Sequence, residues 1–176
     1  QVVSLWEQVF DTYSQRCSEF VLVSQVPPGT TSNFLEKQKN QGFNGTVVYW
    51  VDVLRMGDAV ERFRNPPFVA LGFEQEGMSE LSKFRKLLSR RYGDIIMDMR
   101  YSEAELLKSA VNLFLALSVT FANVMNRMSE GLGCRYSLIE MALRRDPRIG
   151  EKSYLTPSLG IGGGHLERDL SYAQSL

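Results

Sequence analysis

The hydrophobic pattern changes character near residue 100. Before it, short apolar runs alternate with amphipathic stretches. Leu5, Trp6, Val9, Phe10 and Tyr13 recur at helical spacing over residues 4–16. Phe20-Val21-Leu22-Val23 is continuous and apolar, the mark of a strand buried on both faces. Ser24-Gln25-Val26-Pro27-Pro28-Gly29 ends that strand as a turn. Thr30, Thr31 and Ser32 then offer N-caps for a helix through about Lys39. Residues 46–51, 68–72 and 94–99 are β-branched, aromatic or apolar runs and predict three more strands. Residues 79–91 predict a helix with Leu81, Phe84, Leu87 and Leu88 on one side. Strands alternating with helices over residues 1–100 predict a parallel α/β sheet.

After residue 100 the pattern is helical. Ser102-Glu103-Ala104-Glu105 reads as a capping-box signal that opens a long helix. The helix ends at about Gly131-Leu132-Gly133, where glycine can close it. A second helix is predicted over residues 137–145. A Gly-rich segment follows over residues 158–164, and a last helix starts near Glu167. The plan is thus a partial α/β domain over residues 1–100 and an all-helical unit over residues 101–176. A helix apolar on several sides must be buried. In so short a chain this predicts burial against a second copy, a homodimer formed through residues 102–132.

Composition narrows the class. The chain has 176 residues, 44% hydrophobic and 23% charged. That is ordinary globular usage, and it excludes a disordered chain, a collagen and a disulfide-stapled miniprotein. Twenty Lys+Arg balance twenty Asp+Glu. No face is built for polyanions, so nucleic acid is not an expected partner. Cys17 and Cys134 are far apart and form neither a metal cluster nor a disulfide framework. A reducing, cytoplasmic location is therefore expected. Ser118, Thr120, Asn123, Asn126 and Arg127 interrupt the most apolar stretch, residues 113–128, so no membrane span is expected. The chain opens on Gln1 inside an apparent helix, without a basic leader region. It is therefore expected to be a piece of a longer protein.

Three features carry chemistry. Lys108 and Asn112 lie four apart on the long helix, placing an ammonium and an amide on one face. They serve either a ligand oxygen or, more simply, a snorkelling lysine and a backbone-bonded asparagine. Gly160-Ile161-Gly162-Gly163-Gly164-His165 packs glycines just before a helix. Bare backbone there can approach a sugar or phosphate closely, or form an ordinary flexible loop. Val26-Pro27-Pro28-Gly29-Thr30-Thr31 follows a buried strand, where open α/β sheets bind ligands; the plain alternative is a βα turn.

In this order the pieces resemble the nucleotide-sugar dehydrogenases, the UDP-glucose and GDP-mannose 6-dehydrogenases. Ser24-Gln25-Val26-Pro27-Pro28-Gly29-Thr30 is similar to S-T-V-P-P-G-T. Asp52-Val53-Leu54-Arg55-Met56-Gly57 resembles E-F-L-R-E-G, and residues 67–72 resemble P-x-R-I-V-x-G. Ala104-Glu105-Leu106-Leu107-Lys108 with Asn112 resembles A-E-L-x-K-x-x-x-N. Asp146-Pro147-Arg148-Ile149-Gly150 matches D-P-R-I-G, and residues 160–169 resemble G-F-G-G-S-C-F-P-K-D. The resemblance implies a first Rossmann domain, a central helical dimerisation domain and a C-terminal nucleotide-binding domain. This chain would hold the second half of the first and most of the second. It also implies oxidation of a sugar's primary alcohol to a carboxylate with two NAD molecules, through a cysteine thioester.

Carried over by position, Lys108 and Asn112 would stabilise the alkoxide or oxyanion, and Asp169 would assist the water or base. Asp52 stands where the family has an acid/base Glu. Leu54 and Arg55 would line the sugar, Arg148 would reach a substrate in the neighbouring subunit, and Gly160 and Gly162 would close backbone on the sugar. Ser24, Gln25, Val26 and Arg168 would contact NAD. No metal is implied. Several positions depart from the pattern. His165 stands in place of the nucleophilic Cys, and an imidazole has no equally good route to the thioester. Gln25 replaces a Thr, Met56 a Glu, Phe68 an Arg, and Glu167-Arg168 replaces Pro-Lys. The dinucleotide fingerprint does not occur in these residues. The expectation is a dehydrogenase-like protein, catalytically degenerate in this form; the alternative is a non-catalytic dimerisation or ligand-binding scaffold.

Overall fold

The computed structural model describes residues 2–54 and 57–159. The order of elements is α1 (Val2–Tyr13), β1 (Glu19–Leu22), α2 (Thr30–Asn40), β2 (Thr46–Trp50), α3 (Ala59–Arg64), β3 (Val69–Phe73), α4 (Lys83–Tyr92), β4 (Ile96–Arg100), α5 (Tyr101–Gly131) and α6 (Tyr136–Arg145). The chain divides into two compact units, Gln1–Ser109 and Ala110–Leu176. The glycine-rich segment from residue 160, with the helix expected near Glu167, lies outside the described residues.

The first unit is a four-stranded α/β sheet in the order β1-β2-β3-β4. Its central strands, β2 and β3, read as continuous apolar runs because both faces are covered. Leu22, Val47, Tyr49, Val51 and Ala70 join one core with Trp6, Phe10, Phe34 and Leu35 from α1 and α2. Val48, Val69, Leu71 and Phe73 face the other way and pack with Leu88 of α4. The first core is aromatic. Phe10 is fully buried and stacks on Phe20 at 4.0 Å, with Phe34 and Phe43 edge-on at 4.8 and 5.2 Å.

The expectation of an all-parallel sheet needs correction at one junction. β1 and β2 run parallel, as do β3 and β4, but β2 meets β3 antiparallel. A parallel return needs a crossover that packs on the sheet. The segment between β2 and β3 has only the six-residue α3, which buries no side chain. It therefore returns the chain in the opposite direction.

Helix starts also differ from the sequence expectation. Neither Thr30, Thr31 nor Ser32 caps α2; Gly29 does, at φ 90°, a conformation that favours glycine. α4 starts at Lys83 with Ser82 as its cap, the Ser82 side chain accepting from the Arg85 N–H at 3.0 Å. Leu81 and Leu87 consequently stay exposed, while Leu88 is buried. The capping box of α5 forms two residues earlier than Ser102-Glu105. Glu103 accepts from the Arg100 N–H at 2.7 Å, which leaves Glu105 for another partner.

α5 begins in the first unit's core and is tightly fitted there. A Cβ at Gly72 of β3 would meet Ala104 Cβ at 3.0 Å and Tyr101 Cα at 3.2 Å. The buried Tyr101 hydroxyl donates to the Val47 carbonyl at 2.7 Å. Burial, followed by the nearby Glu74 and Glu105 charges, pushes the Tyr101 phenol well above its ordinary pKa. Further along, Phe114, Leu117, Phe121, Val124 and Met128 are exposed at alternating spacings of three and four. By length and composition α5 is sufficient to cross a bilayer, with a mean hydropathy of 1.4 over its most apolar window. The interrupted run of residues 113–128 did not suggest this. Its first turns, however, are anchored in the sheet's core by Tyr101 and Ala104.

The second unit is held by Arg144 of α6. Its guanidinium donates to the carbonyls of Glu151 and Ser153 at 2.6 and 2.9 Å and to Glu140 at 2.7 Å. That pairing holds the Glu140 carboxyl below its usual range, against a smaller opposing effect of burial. Tyr136 donates to the Leu155 carbonyl at 2.8 Å, and Asn123 of α5 accepts from the Ser158 N–H at 2.9 Å. Together they strap residues 151–158 to the helices.

The aromatic core yields a direct test. Phe10→Ala leaves a void among three rings and is expected to lower stability by about 3–5 kcal/mol. The urea-unfolding midpoint checks this; an unchanged midpoint would exclude Phe10 as the centre of that core.

Candidate functional site

β1 and β2 leave the sheet side by side. Their last register pair is Leu22–Tyr49, so Ser24 and Gln25 emerge next to Val51 and Asp52. The Tyr49 hydroxyl donates to the Ser24 carbonyl and pins the two chains together. Strand carboxyl ends are the ligand-binding edge of open α/β sheets.

α5 reaches this edge with two charged side chains a turn apart. Lys108 Nζ donates to the backbone carbonyl of Asp52. Glu105, fully buried, accepts from the Gly29 N–H through Oε2 at 2.6 Å and from the Thr31 N–H through Oε1 at 2.8 Å. A carboxylate on the first turn of α2 satisfies N–H groups that have no helical partner and meets the positive end of the helix dipole. Burial raises the Glu105 pKa above its ordinary value, and the hydrogen bonds from Thr31 and Gly29 oppose that rise.

The expected site residues separate under this geometry. Lys108, Asp52, Leu54, Ser24 and Gln25 share the carboxyl ends of β1 and β2 or the helix that serves them. Asp52 Oδ1 accepts from the Leu54 N–H at 2.8 Å, a local turn that orients its carboxylate. Leu54 is exposed and borders a cavity of about 70 Å³ whose apolar wall includes Trp50, Phe63 and Phe68. Val26 turns its side chain into the aromatic core, so only its backbone can address a cofactor. Asn112 follows Lys108 by one turn of α5, in the second unit. Arg148, also in that unit, is largely exposed and pairs with Asp146 at 2.6 Å. The pairing holds the Asp146 carboxyl below its usual range. Arg55, Gly160, Gly162, His165, Arg168 and Asp169 lie outside the described residues.

A wider cleft of about 550 Å³ sits where β1 and β2 begin, among Cys17, Ser18, Gln38 and Asn44. It is at the opposite end of the strands from Lys108. Among the described residues no cluster of His, Cys, Asp and Glu could hold a metal.

The sequence reading missed Glu105 and Tyr49. Tyr101, Ala104, Glu105, Lys108 and Ser109 follow the 3-4 spacing of one helix face. A charge embedded in a face that also carries Tyr101 and Ala104 was the available signal for Glu105. Tyr49 gave none, since an aromatic in a strand reads as core.

Comparison with known proteins gives the class. Residues 102–176 match the UDP-glucose/GDP-mannose dehydrogenase family, central domain. A UDP-glucose 6-dehydrogenase of Rickettsia conorii is 30% identical over 164 residues, covering 93% of this chain and 37% of that protein. The structure of a UDP-glucose dehydrogenase from Pyrobaculum islandicum superimposes with a TM-score of 0.81 at 28% identity, over 99% of this chain and 41% of the other. A UDP-D-ManNAc dehydrogenase from Pyrococcus horikoshii shares the fold with a TM-score of 0.79 at 20% identity, over 97% of this chain and 41% of the other. The fold is thus that of the nucleotide-sugar dehydrogenases. The chain belongs to that family and spans a little over a third of the length of the Rickettsia relative.

Glu105 makes a pH prediction. Its pKa is raised on folding, so its contribution to stability is complete below the unfolded value of 4.5 and is lost as pH rises through the folded value. Wild type should therefore gain on Glu105→Gln as pH falls from neutral toward 4.5. Paired urea midpoints across that window check the sign. A loss on acidification would mean the N–H bonds outweigh burial.

Proposed function

We propose that this chain is a nucleotide-sugar dehydrogenase-like protein, built for NAD-dependent oxidation at a CH–OH group but degenerate in its covalent step. Residues 1–100 would be the second half of an NAD-binding domain and residues 101–176 a dimerisation domain. The observation that carries this is the delivery of Lys108 by α5 to the carboxyl end of β2, at Asp52. An ammonium there is placed to stabilise negative charge on a substrate oxygen. Asn112 would share that role, Asp52 and Asp169 would handle protons, and Leu54, Arg55, Arg148, Gly160 and Gly162 would address the sugar nucleotide.

NAD, when bound, supplies the hydride acceptor. Gln25 and the Ser24 side chain at the strand end fit its nicotinamide end, with the Val26 backbone and Arg168 as further contacts. The first N–H groups of α2 do not fit a pyrophosphate, because Glu105 already holds them. Degeneracy follows from His165. A cysteine thiolate would add to the aldehyde as a thiohemiacetal, become a thioester on loss of hydride to the acceptor, and be released when water hydrolyses that thioester; imidazole has no equally good route. A cytoplasmic location accords with this chemistry.

A second reading, a non-catalytic dimeric scaffold, is favoured by the exposed face of α5. Phe114, Leu117, Phe121, Val124 and Met128 form the 3-4 seam of a helix–helix contact.

Three measurements test these readings. The purified chain with NAD and UDP-glucose or GDP-mannose should form no NADH; NADH formation refutes degeneracy. Calorimetric binding of either sugar nucleotide favours the decayed enzyme over the scaffold. Leu117→Lys with Phe121→Lys should convert a dimer to monomer in sedimentation velocity. If wild type is monomeric, α5 is not a self-association surface.

A further inference from the structure

We propose that Glu105 is the positioning residue of the strand-end site: its carboxylate fixes the 24–31 loop and sets the rotation of α5 that delivers Lys108. This rests on the reading of the β1–β2 carboxyl ends as the reacting site. Glu105 and Lys108 sit three apart on one face of α5. Each holds the loop that leaves a different strand. Glu105 bonds the Gly29 and Thr31 N–H groups after β1, and Lys108 bonds the Asp52 carbonyl after β2.

The loop after β1 is otherwise held by Val26 in the aromatic core and by its own turn. Thr30 closes a local turn on Pro27, its hydroxyl donating to that carbonyl at 2.6 Å and its N–H at 3.2 Å. Gly29 stands at φ 90° with no Cβ to wedge it. The two oxygens of Glu105 meet N–H groups on both sides of Thr30, and a bidentate carboxylate fixes orientation as well as distance. Gln25 lies four residues before the clamped Gly29, and the Tyr49–Ser24 bond holds the other end. Glu105 thus sets one end of the segment that presents Gln25.

The same two bonds act back on the helix. Tyr101 and Ala104 anchor the first turn of α5, and the fixed carboxylate adds two bonds that resist its rotation one turn on, where Lys108 follows. A buried carboxyl bonded through both oxygens is weak evidence for stability and serves placement instead. Glutamine has the same shape but offers only one acceptor, so one of the two N–H groups would face a donor.

The test uses the 176-residue chain and needs no turnover. Amide exchange and amine acylation are followed in wild type, Glu105→Gln, Glu105→Ala and Glu105→Asp. In the Gln and Ala variants, exchange at Gly29 and Thr31 should rise about tenfold, with β2 and β3 amides unchanged. Acylation of Lys108 should rise by at least about threefold relative to Lys37, whose partner Glu7 is remote from the loop. Glu105→Asp should restore part of both effects. Uniform acceleration across the sheet would overturn the proposal, since Glu105 would then be a stability element only. Unchanged Lys108 acylation would overturn it as well. Should Glu105→Ala fail to fold, the isosteric Glu105→Gln carries the test. Lys108→Met supplies the reciprocal, loosening the Leu54 amide but not Gly29. Titration with UDP-glucose is run in parallel. Its failure beside a positive clamp result would remove the site reading and leave the clamp.

Discussion

The buried carboxylate of Glu105 on the first turn of α2 is the contact that joins the sheet's ligand edge to the long helix. A helix N-terminus presents N–H groups that need acceptors. Here the acceptor comes from 74 and 76 residues further along the chain. The same device recurs at α4. Glu19 of β1 accepts from the Ser82 hydroxyl at 2.5 Å and from the Phe84 N–H at 3.0 Å. Two of the helices that cover the sheet, α2 and α4, are therefore started by a carboxylate borrowed from another element. Glu19 couples α4 to a strand, and Glu105 couples α2 to the long helix.

That coupling explains what the sequence revealed and what it concealed. The central strands were legible because two-sided burial makes Val47 to Trp50 and Val69 to Phe73 continuous apolar runs. Their direction was not. The β2–β3 reversal goes with an α3 that buries no side chain, a property of six residues within an otherwise sufficient linker. Caps were legible only where the acceptor is local. Glu103 on Arg100 is a short-range pair, displaced by two residues from expectation. Glu105 on Gly29 is a long-range pair, and no spacing rule reaches it.

The candidate site shows the same division. The order of motifs identified the family before any geometry was known, because Pro27-Pro28-Gly29, Lys108 with Asn112, and the segment from Asp146 to Gly150 are each tied to a backbone shape or a charge. What the motifs did not give is how they are held. Val26 belongs to the core rather than the ligand edge. Asp52 is addressed at its carbonyl by Lys108 and at its carboxylate by the Leu54 N–H. The family pattern lists residues; the structure shows that two of them share one backbone turn.

α5 is a single helix of 31 residues, and a helix carries torsion along its length. Each residue advances the face by about 100°. Within the second unit, Phe114, Leu117, Phe121, Val124 and Met128 share one stripe because they recur every three or four residues. One residue inserted between Leu117 and Phe121 would swing the last three by about 100° away from the first two. The exposed residues between them look free to vary in kind, but their number is not. α5 acts as a keyed shaft, in which the spacing of residues matters even where the side chains touch nothing.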